Sequence, residues 1–194
     1  MSAEGPETRG ILEKSMASAG VAISPADVLA MLPRGLRFRF LDEIVEIDAA
    51  HVVARYQFRD DEFFYPGHFP ERAVTPGTIL LEAMCQCGIA AHSYYLLAQE
   101  VPIEAAREHR IFFTSAAVEW FEPVGPRDVV TMHSELLAWR RKRIHARVKL
   151  FGKLNRLAAE AQLSGFGMVL SPRAGKVGDM ESKDPLGGYR HEPE

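Results

Sequence analysis

The chain has 194 residues, 47% of them hydrophobic and 25% charged, with a formal net charge of −3. That length supports one substantial core rather than two, and the near-neutral balance excludes a chain-wide electrostatic footprint for nucleic acid. No apolar run reaches the ~20 residues of a membrane-spanning helix, and the acid-containing N-terminus lacks the apolar stretch of a secretory signal, so a cytoplasmic protein without membrane association is expected. In chain order, residues 1–23 read as a polar N-terminal extension with at most a weak helix over 7–16. A single folded domain is expected over 24–171. It opens with LRFRFLDEIVEI, which reads as a strand.

In HVVARYQF, Val52, Ala54, Tyr56 and Phe58 share one face, and Val53, Arg55 and Gln57 share the other. That alternation predicts a half-buried strand. The segment 78–98, TILLEAMCQCGIAAHSYYLLA, breaks the pattern: it is too long for a strand and apolar nearly all round, as a buried helix is. Thr75 is expected to cap it and Pro76 to occupy its first position. Cys85 and Cys87, the only two cysteines, lie two apart on different faces and read as buried, inert thiols rather than metal ligands. AAVEWFEP and VVTMHSELL are strand-like, as is RIHARVKLF, where Ile144, Ala146, Val148 and Leu150 alternate with basic residues. LAAEAQLSGFGMVL reads as the last strand, and 172–194, rich in Pro, Gly and charge, as a disordered tail. The fold class is therefore α+β: a curved, largely antiparallel sheet wrapped around one long buried helix.

The chemistry concentrates at the helix entrance, in FFYPGHFPERAVTPG and the turns that follow. Glu82 is a carboxylate in an apolar helix, with Gln86 one turn later on the same face. A structural Glu–Gln pair or a wet helix face would account for it. So would a proton donor kept neutral by burial. His68 sits in a loop restricted by Pro66, Gly67 and Pro70, where an imidazole suits general-base work. Gly77 falls in the first helical turn, whose free N–H groups and dipole favour an oxygen gaining negative charge. Lacking a side chain, it permits close approach. A base, an acid and an oxyanion donor are what elimination of water from a 3-hydroxyacyl thioester requires.

The run GHFPERAVTPGTILLEAMCQ resembles the signature of the hot-dog-fold 3-hydroxyacyl-acyl-carrier-protein dehydratases, the FabZ/FabA group. The likeness extends from LPRGLRFRFLDEIVEID through FFTSAAVEWFEPVGPRD to the last strand. It implies His68 as the catalytic histidine and Glu82 as the catalytic carboxylate, at the family's spacing of 14 residues. It further implies Gly77 as the donor to the thioester carbonyl and Gln86 as the residue that steadies the carboxylate; Glu82 in place of Asp resembles the FabZ branch. Tyr65, beside the motif, is a candidate substrate contact. The resemblance implies a homodimer or higher oligomer in which His68 of one subunit meets Glu82 of the other. It implies no metal and no redox cofactor, the acyl group arriving on the phosphopantetheine arm of acyl carrier protein. The chain departs from the family pattern at Glu71, Ala73 and Thr75, and around Arg34 and Arg37.

The basic segment Arg140–Arg156 contains no acid. It reads as a solvated strand face and hairpin or as a dock for an acidic carrier; it lacks the interleaved aromatics of a single-strand nucleic-acid binder. His92, Tyr94 and Tyr95 are expected in core or interface, and Phe112 and Phe113 in core or an acyl tunnel. The alternatives to dehydration are a hot-dog thioesterase, which needs the carboxylate but not the histidine, and a catalytically idle acyl-binding subunit. Fatty-acid synthesis and a related polyketide or aryl-polyene pathway both fit the resemblance.

Overall fold

The computed structural model describes residues 23–32, 35–69 and 71–170. The expected weak helix at 7–16 and tail at 172–194 lie outside them. Six strands form one sheet: β1 (Glu43–Ile47), β2 (His51–Gln57), β3 (His109–Trp120), β4 (Val129–Arg140), β5 (Arg143–Phe151) and β6 (Leu157–Val169). Their spatial order is β1-β2-β4-β5-β6-β3, and every neighbouring pair is antiparallel. The alternation read from sequence is the observed one. Val52, Ala54, Tyr56 and Phe58 are buried, as are Ile144, Ala146, Val148 and Leu150. Each of the larger of these side chains, Val, Ile, Leu and Phe, contributes about 1.5–3 kcal/mol by leaving water, and each alanine less.

These inward faces close on the central helix, which runs as α2 (Gly77–Cys85), a π-turn segment (Gln86–Ala91) and α3 (His92–Glu100). Contact between helix and sheet is close enough that a Cβ at Gly88 would collide with the Val148 side chain and stand 2.9 Å from Ser134 Oγ. Only glycine fits that crossing. His92 and Tyr94 are buried in the core, as expected, and Tyr95 packs against it. Cys85 and Cys87 are buried free thiols, and burial pushes both up to about 12. Among the described residues no helix is long and apolar enough to cross a membrane, and no cluster of His, Cys, Asp or Glu is placed to hold a metal ion.

Two short helices were not expected from the alternation. In α1 (Pro25–Met31), Ser24 and Asp27 form a reciprocal capping box, and Pro25 takes the first position. The other, α4 (Ile103–Glu108), links the central helix to β3. The strand expected over LRFRFLDEIVEI is shorter than predicted. Leu36–Phe38 form a 3-10 turn, and only Glu43–Ile47 pair with β2. The reason is competition for backbone groups from a distant residue: the Phe38 carbonyl and the Phe40 N–H are both taken by the Gln86 side chain, at 2.8 Å each.

Candidate active site

The helix entrance is built differently from its expected cap. Pro76 is the residue before the helix, and the helix begins at Gly77 without a side-chain cap. Thr75 instead places its hydroxyl 2.8 Å from the Tyr65 hydroxyl and donates its backbone N–H to Val124 O at 2.7 Å. The threonine thus anchors the loop to the helix start rather than satisfying a helical amide. Tyr65 is 5% exposed, and burial raises its phenol to about 12. It braces the entrance and does not line the cavity at Glu82. No acceptor among the described residues takes the Gly77 N–H, so it is an open donor at the positive end of the helix.

His68 follows the 3-10 turn Tyr65–Gly67, with its Nδ1 2.8 Å from Val74 O. A carbonyl only accepts, so Nδ1 carries a proton, and Nε2 is the ring nitrogen left to act as a base. Phe69 follows with φ 59 and 60% exposure, its ring 4.4 Å from the imidazole centroid to centroid. A left-handed phenylalanine is a costly backbone choice. Here it turns the chain sharply after the histidine and leaves an aromatic ring facing outward.

Glu82 is half-buried, and its carboxyl pKa is raised. Desolvation is the main cause, and the hydrogen bond from Gln86 opposes it. Gln86 Nε2 donates to Glu82 Oε1 at 2.9 Å and to Phe38 O at 2.8 Å, while Gln86 Oε1 accepts the Phe40 N–H at 2.8 Å. Both ends of the amide are therefore satisfied, and the carboxyl is held in one orientation. It borders a cavity of about 210 Å³ lined by Phe38, Cys85, Gln86, Ile89, Phe113 and their neighbours. Phe113 reaches this cavity beside a register shift in the β3–β6 pairing, whereas Phe112 stacks on Phe166 with centroids 5.5 Å apart. His68 is not among the lining residues. Its loop instead borders a separate cavity of about 720 Å³, lined by Phe69, Glu71, Arg72, Val74 and Pro123.

A carboxyl beside an apolar cavity, an imidazole anchored through Nδ1 in a restrained loop and an open helix-start amide together fit the family signature read from sequence. The FabA-like domain model matches residues 32–161. The chain belongs to the FabA-like family. It is 30% identical over 153 residues to a 3-hydroxyacyl-[acyl-carrier-protein] dehydratase FabZ of Koribacter versatilis, a match covering 77% of this chain and 92% of that relative. A second relative of the same name, from Syntrophotalea carbinolica, is 31% identical over 152 residues, covering 76% of this chain and 95% of its own. Among solved structures, the dehydratase heterocomplex ApeI:P of Xenorhabdus doucetiae aligns with a TM-score of 0.60 at 15% identity, covering 75% of this chain and 92% of that one. A thioesterase from Haemophilus influenzae aligns with a TM-score of 0.57 at 13% identity, covering 80% of this chain and 98% of that one. The two structural likenesses share the fold of this FabA-like chain.

The basic segment of the FabA-like chain is not one surface. Strand β5 is 9 residues long and, at ~3.3 Å per residue step, puts its two ends roughly 26 Å apart. Lys153 and Arg156, at the far end, pair with Asp128 and Glu122, and Arg147 pairs with Glu135 and Glu160. Arg140, Arg141 and Arg143, at the β4–β5 turn, have no ion pair among the described residues. Lys142, in the same turn, reaches His109 Nε2 at 2.8 Å. One site neighbour had no sequence signal: Trp120, 43 residues from Gly77, donates its indole N–H to the Gly77 carbonyl at 3.3 Å.

Proposed function

We propose that this chain dehydrates a (3R)-3-hydroxyacyl thioester carried on acyl carrier protein to the trans-2-enoyl thioester, as a cytoplasmic homodimer with His68 and Glu82 drawn from different subunits. His68 Nε2 removes the α-proton. Charge that develops on the thioester oxygen is stabilised by the Gly77 N–H at the helix start. Glu82, as the carboxylic acid, donates its proton to the departing 3-hydroxyl, which leaves as water. The scheme is complete with side chains and a backbone amide, and calls on no metal or redox group. The observation that carries the reading is Glu82 itself: a carboxyl desolvated toward its neutral form, held by Gln86 at the mouth of an apolar cavity. A raised carboxyl pKa is the direction that suits a general acid. The relatives named FabZ support the substrate class.

The dimer is supported by β3. It is a 12-residue edge strand, exposed along most of its length and including Phe112 and Phe113. A long unpaired edge of this kind is a template for pairing with a second strand. Joining two copies along β3 covers Phe113 and closes the exposed side of the Glu82 cavity. In this reading the carrier docks at Arg140, Arg141 and Arg143 of the β4–β5 turn, which have no ion pair among the described residues. The test is incubation of the purified protein with 3-hydroxyacyl and enoyl carrier-protein substrates of several chain lengths, followed by mass spectrometry. Loss or gain of water is the expected result. Release of free acid without enoyl product assigns a thioesterase instead, and no turnover at any length assigns an idle subunit.

A further inference from the structure

Trp120 closes β3, and the chain then returns to the helix entrance, where Val124 O accepts the Thr75 N–H at 2.7 Å. A second tether lies two residues further along the chain, at the first residue of the helix, where the Trp120 indole N–H donates to Gly77 O at 3.3 Å. The ring also fills the space in front of the Gly77 α-carbon. A Cβ built there would meet Trp120 Cε2 and Nε1 at 3.0 Å each. Part of the need for glycine at 77 is therefore internal: the indole occupies the volume that a side chain would take. Trp120 nevertheless remains 49% exposed, so about half of the residue stays open beside a helix start whose Gly77 N–H has no acceptor among the described residues.

On the dehydratase reading above, we propose that Trp120 is a positioning residue for the reaction: its indole N–H holds the Gly77 carbonyl and with it the first residue of the helix, and its exposed ring forms a wall of the slot that receives the thioester. The amide that stabilises the enolate-like oxygen must be aimed at where charge develops, not merely nearby. A tether on the same residue's carbonyl fixes the orientation of the helix-start backbone, and a flat apolar wall excludes water from the thioester side.

The test uses the full-length protein and trans-2-enoyl pantetheine thioesters, whose hydration is the reverse reaction. Trp120→Phe keeps the ring and removes the donor. It is expected to lower kcat roughly five- to tenfold with KM within about twofold, since one tethering hydrogen bond is lost while the wall remains. The chain has only two tryptophans, so Trp139→Phe leaves Trp120 as the sole indole, and its emission is expected to shift on saturation with the thioester. Gly77→Ala is expected to lower the melting temperature, and Gly77→Ala combined with Trp120→Ala to recover part of that loss. Wild-type kcat in Trp120→Phe, or emission that ignores saturating thioester, overturns the proposal. If Trp120→Phe does not fold, the emission experiment decides. If the wild-type protein binds thioester with an emission change but never adds water, the dehydratase reading fails while the wall assignment stands.

Discussion

Gln86 Nε2 stands 2.9 Å from Glu82 Oε1, and the same amide spans to Phe38 O and the Phe40 N–H. One glutamine thus orients the carboxyl and ties the central helix to the segment that leads into β1. Gln86→Ala leaves the buried Phe40 N–H without its acceptor and frees the carboxyl to rotate. The expected cost is roughly 2–3 kcal/mol of stability, measured by denaturant unfolding, with a larger fractional loss in kcat than in thioester affinity. Unchanged stability would show that the Phe38–Phe40 segment is held elsewhere.

His68→Ala and Glu82→Gln are each expected to reduce turnover by roughly 10²- to 10⁴-fold while the oligomer survives on size exclusion. Mixed and re-equilibrated, the two inactive variants should regain about a quarter of wild-type activity. Random reassortment makes half the dimers mixed, and each mixed dimer holds one intact site of two. No recovery would place both groups of a site in one chain.

The raised Glu82 pKa gives a pH test with a definite sign. In the folded chain the carboxyl holds its proton above the ordinary value of 4.5, with burial as the main cause. Between that ordinary value and the native one, the folded state binds more protons than the unfolded state, so this group makes stability fall as pH rises. Glu82→Gln removes the effect. Its melting temperature relative to wild type is therefore expected to climb across that window and level off above it. In kinetics, kcat for dehydration should decline on the alkaline side as the acid ionises, which a pH–rate profile would reveal.

A like charge at the sheet edge should separate the subunits. Ala116 and Ala117 lie mid-β3 and are exposed. Glutamate at both is expected to give a folded monomer in sedimentation velocity with negligible activity, because each half-site then lacks its partner group. A fully active monomer would sink the shared-site arrangement.

Reversing Arg140 and Arg143 to glutamate is expected to raise KM for carrier-bound substrate severalfold, more so at low salt, and to leave the pantetheine thioester unaffected. The same reversal at Lys153 and Arg156, which already pair with Asp128 and Glu122, should act on stability rather than on carrier affinity. Equal effects on both substrates would dismiss the β4–β5 turn as the dock.

The sequence by itself determined the elements whose signals are local. Alternation put Val52, Ala54, Tyr56 and Phe58 inside, and the long apolar run became the central helix, because periodicity follows from backbone geometry alone. The pairing of Glu82 with Gln86 was equally legible, being one helical turn apart. Tertiary structure decided what depends on partners distant in the chain. It spent Thr75 on Tyr65 and Val124 rather than on a helix cap, and gave Phe38 and Phe40 to Gln86 instead of to a strand. The same packing cut one run of basic residues into two ends of β5 and laid Trp120 over Gly77. It also left Glu82 bordering one cavity and the loop that follows His68 bordering another. Fourteen residues of spacing define a motif, but only the packing of loop against helix determines which carboxyl a histidine can face.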